Sequence, residues 1–311
     1  MIAPSEVLNA PAFGAEFAAM DAEIFQGAEQ TRLRLPLPWL HGDTTEFLFP
    51  QAQPAGNSHG FLLHQAGELL LGCAVQNMDP NPVETARDLY RRLLGASAGR
   101  SLYRIWNYVP AINAHPNGME NYRAFCAGRA QAFETVHGTR FTGVLPAASA
   151  VGCAGHKLGV VFVAGPAAPR YLENPEQIAA YHYPPEHGIR SPSFSRATVA
   201  TQAGRPLVFV SGTAAIKGHA TVAPGALAAQ IDCTLDNLRI ISRAAGLGES
   251  LGAGTGLARH FKIYLRHAAD LGAVRARVER ELLRPEDRVI YLRADICRAE
   301  LLVEIEVTLI G

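Results

Sequence analysis

The chain has no long apolar run. None of its hydrophobic stretches approaches the roughly 18 residues a membrane span needs, so no membrane partner is expected. The N-terminus, MIAPSEVLNAPAF, lacks a cationic stretch followed by an apolar one and does not read as a secretory leader. An excess of one charge is missing too. The 28 basic and 28 acidic side chains cancel, no basic stripe appears, and nucleic acid is excluded as the expected partner. The five cysteines (Cys73, Cys126, Cys153, Cys233 and Cys297) are odd in number and form no C-x-x-C pair, which points to free thiols in a reducing compartment and a soluble cytoplasmic chain. The 11 histidines never fall in H-E-x-x-H or beside cysteine at ligand spacing, so no metal is expected. Without a dinucleotide fingerprint, no organic cofactor is expected either.

What is present is a high apolar content, 48% of 311 residues against 18% charged, enough for one large or two medium domains with a buried core. The second half is the more readable. Pro206–Ile216 (PLVFVSGTAAI) is β-rich and ends in turn chemistry, with another strand before it at Arg196–Thr201. Leu227–Ala245 places Ile231, Leu235, Leu238 and Ile241 at helical spacing, and Gly246 follows as a stop. His260–His267 alternates with period two, Phe261, Ile263 and Leu265 on one face, Lys262, Tyr264 and Arg266 on the other. Ala268–Leu283 is a second amphipathic helix, and Arg288–Ile296 and Leu301–Ile310 are further strands. The first half repeats this order. Strands are predicted at Phe61–His64 and Glu68–Val75, a helix at Pro82–Leu94 capped by Asn81, a strand at Leu102–Val109, a helix at Met119–Val136 and a strand at Leu158–Ala164. A duplication about 150 residues apart accounts for both halves; a plain two-domain α/β chain is the alternative. The expected division is an N-terminal extension over residues 1–57 (irregular through Pro36–Pro54), a first unit over 58–170 and a second over 171–311. Tyr171–Pro192, with Pro175, Pro184 and Pro185, is the expected connector.

The last strand carries the chemistry. Val303, Ile305, Val307 and Leu309 point one way and Leu302, Glu304, Glu306 and Thr308 the other. The apolar row packs on the helices, which leaves the carboxylates on the opposite side of the sheet. A solvated outer face is the ordinary reading of a strand glutamate. Against it stand Lys262, Tyr264 and Arg266 on the same side of the same unit, and the absence of any charge from the matching LGVVFVA strand. Other candidates are weaker. Gly248–Gly256 (GESLGAGTG) lacks G-K-[ST] and leads into a strand, so it is no phosphate cradle. Ser211 has no G-x-S-x-G elbow and reads as a turn serine.

The second half resembles the RidA/YjgF-like proteins. The resemblance rests on VFVSGTAAI from Val208, a helix with Gln230, Asn237, Leu238, Ile241, Ala244, Ala245 and Gly246, KIYLRHAADL from Lys262, and EIEV from Glu304. Longer stretches are similar to the chorismatases, which place this fold at the end of a two-part chain. They are YRIWNYVPAIN (Tyr103–Asn113), NYRAFCAGRAQAF (Asn121–Phe133), RSPSFSRA (Arg190–Ala197), SGTAAIKGHAT (Ser211–Thr221) and CRAELLVEIE (Cys297–Glu306). The implied fold is α/β of the α+β kind: two RidA/YjgF-like, chorismate-mutase-like βαβα units, each a sheet with helices on one face. The implied activity is cleavage of chorismate to pyruvate and 3- or 4-hydroxybenzoate. Alternatives are a hydrating chorismatase that gives a dihydroxycyclohexadiene carboxylate, or a RidA-like imine or enamine hydrolase. A homotrimer and an intrachain pseudo-oligomer are both open as the assembly.

The resemblance also implies roles. Glu304 matches the strand glutamate that protonates the enolpyruvyl methylene, and burial would supply the raised pKa such an acid needs. Glu306, on the same face, is expected to matter less. The two substrate carboxylates need fixed cations, for which Arg196, Arg266, Lys262 and Arg129 are candidates, with Tyr108 and Tyr264 as donors. Gly212 and Ala215 of the SGTAAI segment are expected at the substrate. In members that form an aromatic product a cysteine sits seven residues before the glutamate, where Cys297 stands; alanine in the SGTAxI segment, here Ala215, resembles the hydrating type instead. The product isomer therefore stays open.

Overall fold

Strand alternation and helical spacing resolve into two sheets, each with two helices on its outer face. The computed structural model describes residues 21–311 except 27–30, 47, 79–80 and 117; residues 1–20 of the expected extension lie outside the described residues. After a small hairpin, β1 (Glu23–Gln26) with β2 (Thr31–Arg34), comes β3 (Trp39–Gly42). The first sheet uses β4 (Gln53–Ser58), β5 (Phe61–Ala66), β6 (Leu69–Asn77), β7 (Ser101–Pro110), β8 (Ala147–Cys153) and β9 (Lys157–Gly165), with helices α1 (Pro82–Ala96) and α2 (Asn121–His137). The second uses β10 (Arg170–Leu172), β11 (Ala197–Gln202), β12 (Arg205–Thr213), β15 (Ala258–Leu265), β16 (Arg288–Arg293) and β17 (Val303–Ile310), with α3 (Leu227–Ala244) and α4 (Leu271–Glu281). A tight hairpin, β13 (Ile216–Lys217) and β14 (Ala220–Thr221), projects between β12 and α3.

The strand orders are β4-β5-β6-β9-β7-β8 and β10-β11-β12-β17-β15-β16-β3. Thus β5-β6-β9-β7-β8 is matched strand for strand by β11-β12-β17-β15-β16, with a parallel pair at the same place in each, β7–β8 and β15–β16. The two halves share one strand topology.

The local reasons are the expected ones. Asn81 accepts the Glu84 amide at 3.3 Å, and Pro82 opens α1. Just beyond α3, Gly246 takes φ +77°, and the Leu247 amide donates to the Ser242 carbonyl at 2.9 Å. On the helix side of the second sheet, Ile231, Leu235, Leu238 and Ile241 meet Phe261, Ile263 and Leu265 and the row Val303, Ile305, Val307 and Leu309. Each such burial contributes roughly 1.5–3 kcal/mol. Ile105, Val109, Val160 and Phe162 do the same under α1 and α2.

The other two faces meet each other. Tyr103, Trp106, Tyr108, Val151 and Val163 pack against Ala200, Leu207, Phe209 and Tyr264. Ser211 is not a turn residue: it lies fully buried on β12, donates to the Ser195 carbonyl at 2.6 Å and accepts the Ala148 amide at 2.8 Å, which ties the sheets together. The face that carries Glu304 and Glu306 therefore looks into a second sheet, not into water.

Three further expectations need correction. The stretch Pro36–Pro54, expected to be irregular, supplies β3 to the edge of the second sheet and the start of β4 to the edge of the first; of its prolines only Pro54 falls within a strand, and an edge strand tolerates the missing amide donor. Strand β8, AASAVGC, was not expected, because alanine and glycine give a weak strand signal and neighbours on both faces decide its state. The segment expected to be one helix over Ala268–Leu283 begins as a 3-10 turn, Ala268–Asp270, and ends as α-helix at Glu281. All five cysteines are free. Among the described residues no helix is long and apolar enough to cross a membrane.

Candidate active site

Alternation on β17 sends Glu304 and Glu306 to the same inner face, opposite Tyr264 and Lys262 of β15. Their surroundings differ. Glu306 is held by the Arg104 guanidinium at 2.7 Å, the Lys262 ammonium at 2.8 Å and the Trp106 indole N–H at 2.8 Å. Arg104 also donates to the Ser149 hydroxyl at 2.9 Å, and Lys262 pairs with Glu46 at 2.8 Å. Burial alone would raise Glu306, but the two cations outweigh it and hold its carboxyl below the usual glutamate value. It is a buried carboxylate.

Glu304 has no such partners. Its carboxyl is 3% exposed, its Oε1 makes no hydrogen bond, and burial together with the Glu306 charge raises it to about 8. Gly212 on β12 makes room for it: a Cβ there would lie 2.1 Å from Glu304 Oε1. Two carboxyls two residues apart are thus driven in opposite directions, one ionised and one neutral at pH 7, the pattern that separates acid from base roles.

Glu304 lines a cavity of about 490 Å³, within the range of small-molecule sites. Of the residues singled out from sequence, Cys297, Arg196 and Gly212 line it as well. Arg196 donates to the Tyr183 hydroxyl at 2.7 Å and stacks over Phe194. Cys297 is half-buried, and burial, then Glu304, pushes its thiol up to about 12, so it stands beside the acid as a neutral group.

The remaining candidates lie off the cavity wall, each for a visible reason. Lys262 is consumed by Glu306 and Glu46. Tyr108 and Tyr264 are packed between the sheets. Arg129 donates to the Ser193 carbonyl and stacks over Tyr90, supporting the segment before Arg196 from behind. Arg266 pairs with Asp295 and donates to the carbonyls of Ile296, Arg298 and Leu301 at 2.7–3.1 Å, which fixes the loop that carries Cys297. Ala215 is fully buried among Cys233, Ile296 and Leu301.

Sequence reading missed Arg298, Arg104 and Ser149. Arg298 lines the cavity and donates to the His219 carbonyl at 2.8 Å. Arg104 was readable as the inward residue of YRIWNYV, but nothing in the sequence names Glu306 as its partner. The connector Tyr171–Pro192 is also more than a link, since Tyr183, Glu186 and His187 form part of the wall. The motif helix explains itself: Asn237 donates to the carbonyls of Ala214 and Ile216, and Gln230 bonds the Glu300 carbonyl and the Leu302 amide, so α3 positions the two segments flanking Glu304. Among the described residues one group has metal-ligand chemistry, Glu186 with His187 and His219.

The two matched sheets thus bring a buried carboxyl with a raised pKa to the wall of a cavity that also presents Arg196 and Arg298. Comparison with known proteins makes this specific. The family described as "Chorismatase FkbO/Hyg5-like, N-terminal" matches residues 47–164. A 3-hydroxybenzoate synthase of Streptomyces hygroscopicus is 40% identical over 215 residues, 66% of this chain and 62% of that protein. A chorismatase of Streptomyces rapamycinicus is 42% identical over 221 residues, 69% of this chain and 65% of that one. The matched regions thus span less than two thirds of those relatives. The crystal structure of a chorismatase aligns with a TM-score of 0.79 and 28% identity over 98% of this chain and 96% of that one. The chain is thus similar to chorismatases in sequence over about two thirds of its length and in fold over nearly all of it.

Proposed function

We propose that the protein cleaves chorismate into pyruvate and a hydroxybenzoate, with Glu304 as the general acid. The observation that carries this is the state of Glu304, a carboxyl kept neutral near pH 7 by burial and by Glu306, at the wall of a cavity that also presents Arg196 and Arg298. An enol ether is a weak base, so its protonation needs an acid that arrives with its proton at working pH. Transfer of that proton to the methylene carbon leaves a cation shared with the ether oxygen. Breaking the ring carbon–oxygen bond then frees pyruvate, and loss of one ring proton gives the aromatic acid, with no water consumed. Arg196 and Arg298 suit the two substrate carboxylates as bidentate donors. The chemistry draws on no metal or organic cofactor.

A hydroxybenzoate product is favoured over the hydrated diene by the neutral thiol of Cys297 beside Glu304, which fills space there without holding water as a hydroxyl would. The relative named as a 3-hydroxybenzoate synthase supports the same choice. The test is incubation with chorismate, with pyruvate measured and the aromatic product identified by chromatography. Release of pyruvate with equimolar hydroxybenzoate is expected; no pyruvate overturns the proposal.

A further inference from the structure

The cavity holds a second cluster that the acid chemistry does not use. Glu186 and His187 lie on a short 3-10 turn, Pro185–His187, of the connector, and His219 lies in the β13–β14 turn. All three line the cavity, Glu186 exposed and the two histidines half-buried. His187 Nε2 is 2.9 Å from His219 Nδ1, and Glu186 Oε1 is 3.4 Å from His219 Nδ1 and 3.7 Å from His187 Nε2.

A shared proton explains the first distance but not the other two, which are long for hydrogen bonds to a carboxylate. A metal explains all three together. Ligand atoms about 2.0–2.1 Å from a tetrahedral ion stand roughly 3.3–3.4 Å apart, and the observed edges bracket that value. We propose that Glu186, His187 and His219 form a binding site for a zinc-class divalent cation, with the fourth ligand supplied from the cavity. Two imidazoles and one carboxylate are a donor set that zinc and its neighbours accept and that calcium or magnesium do not favour.

The site is built before any ion arrives. The Gly218 amide donates to the Glu176 carbonyl at 2.9 Å and the Ile178 amide to the Gly218 carbonyl at 3.0 Å, so the turn bearing His219 is tied to the connector that bears its partners. Tyr183 packs beside both rings, its centroid 5.2 Å from His187 and 6.5 Å from His219. Arg298 fixes the backbone of His219 through its carbonyl. The arrangement needs no statement about the substrate and stands or falls apart from the proposed activity.

Cobalt(II) titration of the untagged, chelator-treated chain tests it, because tetrahedral cobalt reports its own ligands. One equivalent should bind with the visible bands of a tetrahedral nitrogen and oxygen site and without the charge-transfer band of a thiolate. Zinc should displace it. His219→Ala should weaken binding by more than the ~10–100-fold that loss of an outer-shell partner costs. Glu186→Gln, at an exposed position that cannot unfold the chain, should weaken it as well. Absence of binding, a thiolate band, or unchanged affinity in either variant overturns the site.

Discussion

Strands β9 and β17 hold the same place in their sheets, yet β9 turns Gly159, Val161 and Val163 inward while β17 turns Glu304 and Glu306. The first unit gives something else to the shared interior. Arg104, Trp106 and Ser149 project from β7 and β8 to meet the carboxylates of the second unit. On the proposed mechanism the second unit holds the acid, and both units keep its neighbour ionised, Lys262 from the second and Arg104 from the first. A like charge beside Glu304 raises it only while that charge is itself stabilised. On that reading Glu304 depends, through Glu306, on Arg104, which precedes Glu306 by 202 positions in the chain.

The largest effect should come from removing the acid. Glu304→Gln is expected to lower pyruvate release by ~10²–10⁴-fold with an unchanged circular dichroism spectrum. A variant that keeps half the parent rate would place the acid elsewhere and undo the comparison. Next is Gly212→Ala. Its methyl would claim the space of Glu304 Oε1, and a displacement of about 1 Å is enough to cost roughly 10²-fold in rate. Steady-state kinetics should show the loss in kcat more than in KM, and equal losses in both would point to a blocked cavity instead.

Glu306→Gln addresses the first unit's contribution. It strands Arg104, leaves the buried Lys262 with Glu46 alone, and should destabilise the chain by about 3–5 kcal/mol in urea unfolding. Because the Glu306 carboxyl is held below the usual 4.5, its contribution is fully present above pH 4.5 and lost as the pH falls further. A change near zero at pH 7 would mean that the cations hold themselves. The smallest effect is on product choice. Cys297→Ala should shift the product ratio, about tenfold for each 1.4 kcal/mol, without stopping pyruvate release. Ala215→Gly should do less, since Ala215 is packed behind the wall. Chromatography of both variants decides, and an unchanged mixture in Cys297→Ala makes the thiol a packing residue.

Periodicity made most of the fold legible. The period-two rows of β15 and β17 and the helical spacing of α3 are strong patterns, and their apolar faces meet as the spacing predicts. Where the pattern is weak, as in AASAVGC, the strand state comes from neighbours supplied by other segments and leaves little trace locally. The site divides the same way. Glu304 stands out on its own strand because it breaks an apolar run. Arg129, Arg266 and Lys262 looked like substrate cations because a sequence shows charge but not the partner that satisfies it. Each proved to hold carbonyls or a carboxylate. Arg298 was passed over for the converse reason: it follows Cys297 in an irregular loop whose direction no periodicity sets.

One measurement bears most directly on the claim that a neutral Glu304 starts the reaction: kcat/KM for pyruvate release from chorismate, followed from about pH 6 to about pH 10. A raised carboxyl that must carry its proton gives a rate that is level on the acid side and falls above about 8, approaching tenfold per pH unit. Glu306→Gln should move that fall to lower pH, since the like charge that raises Glu304 is gone while the nearby cations remain. A rate that climbs with pH through the same range, or one already lost near the usual glutamate value of 4.5, would contradict the assignment.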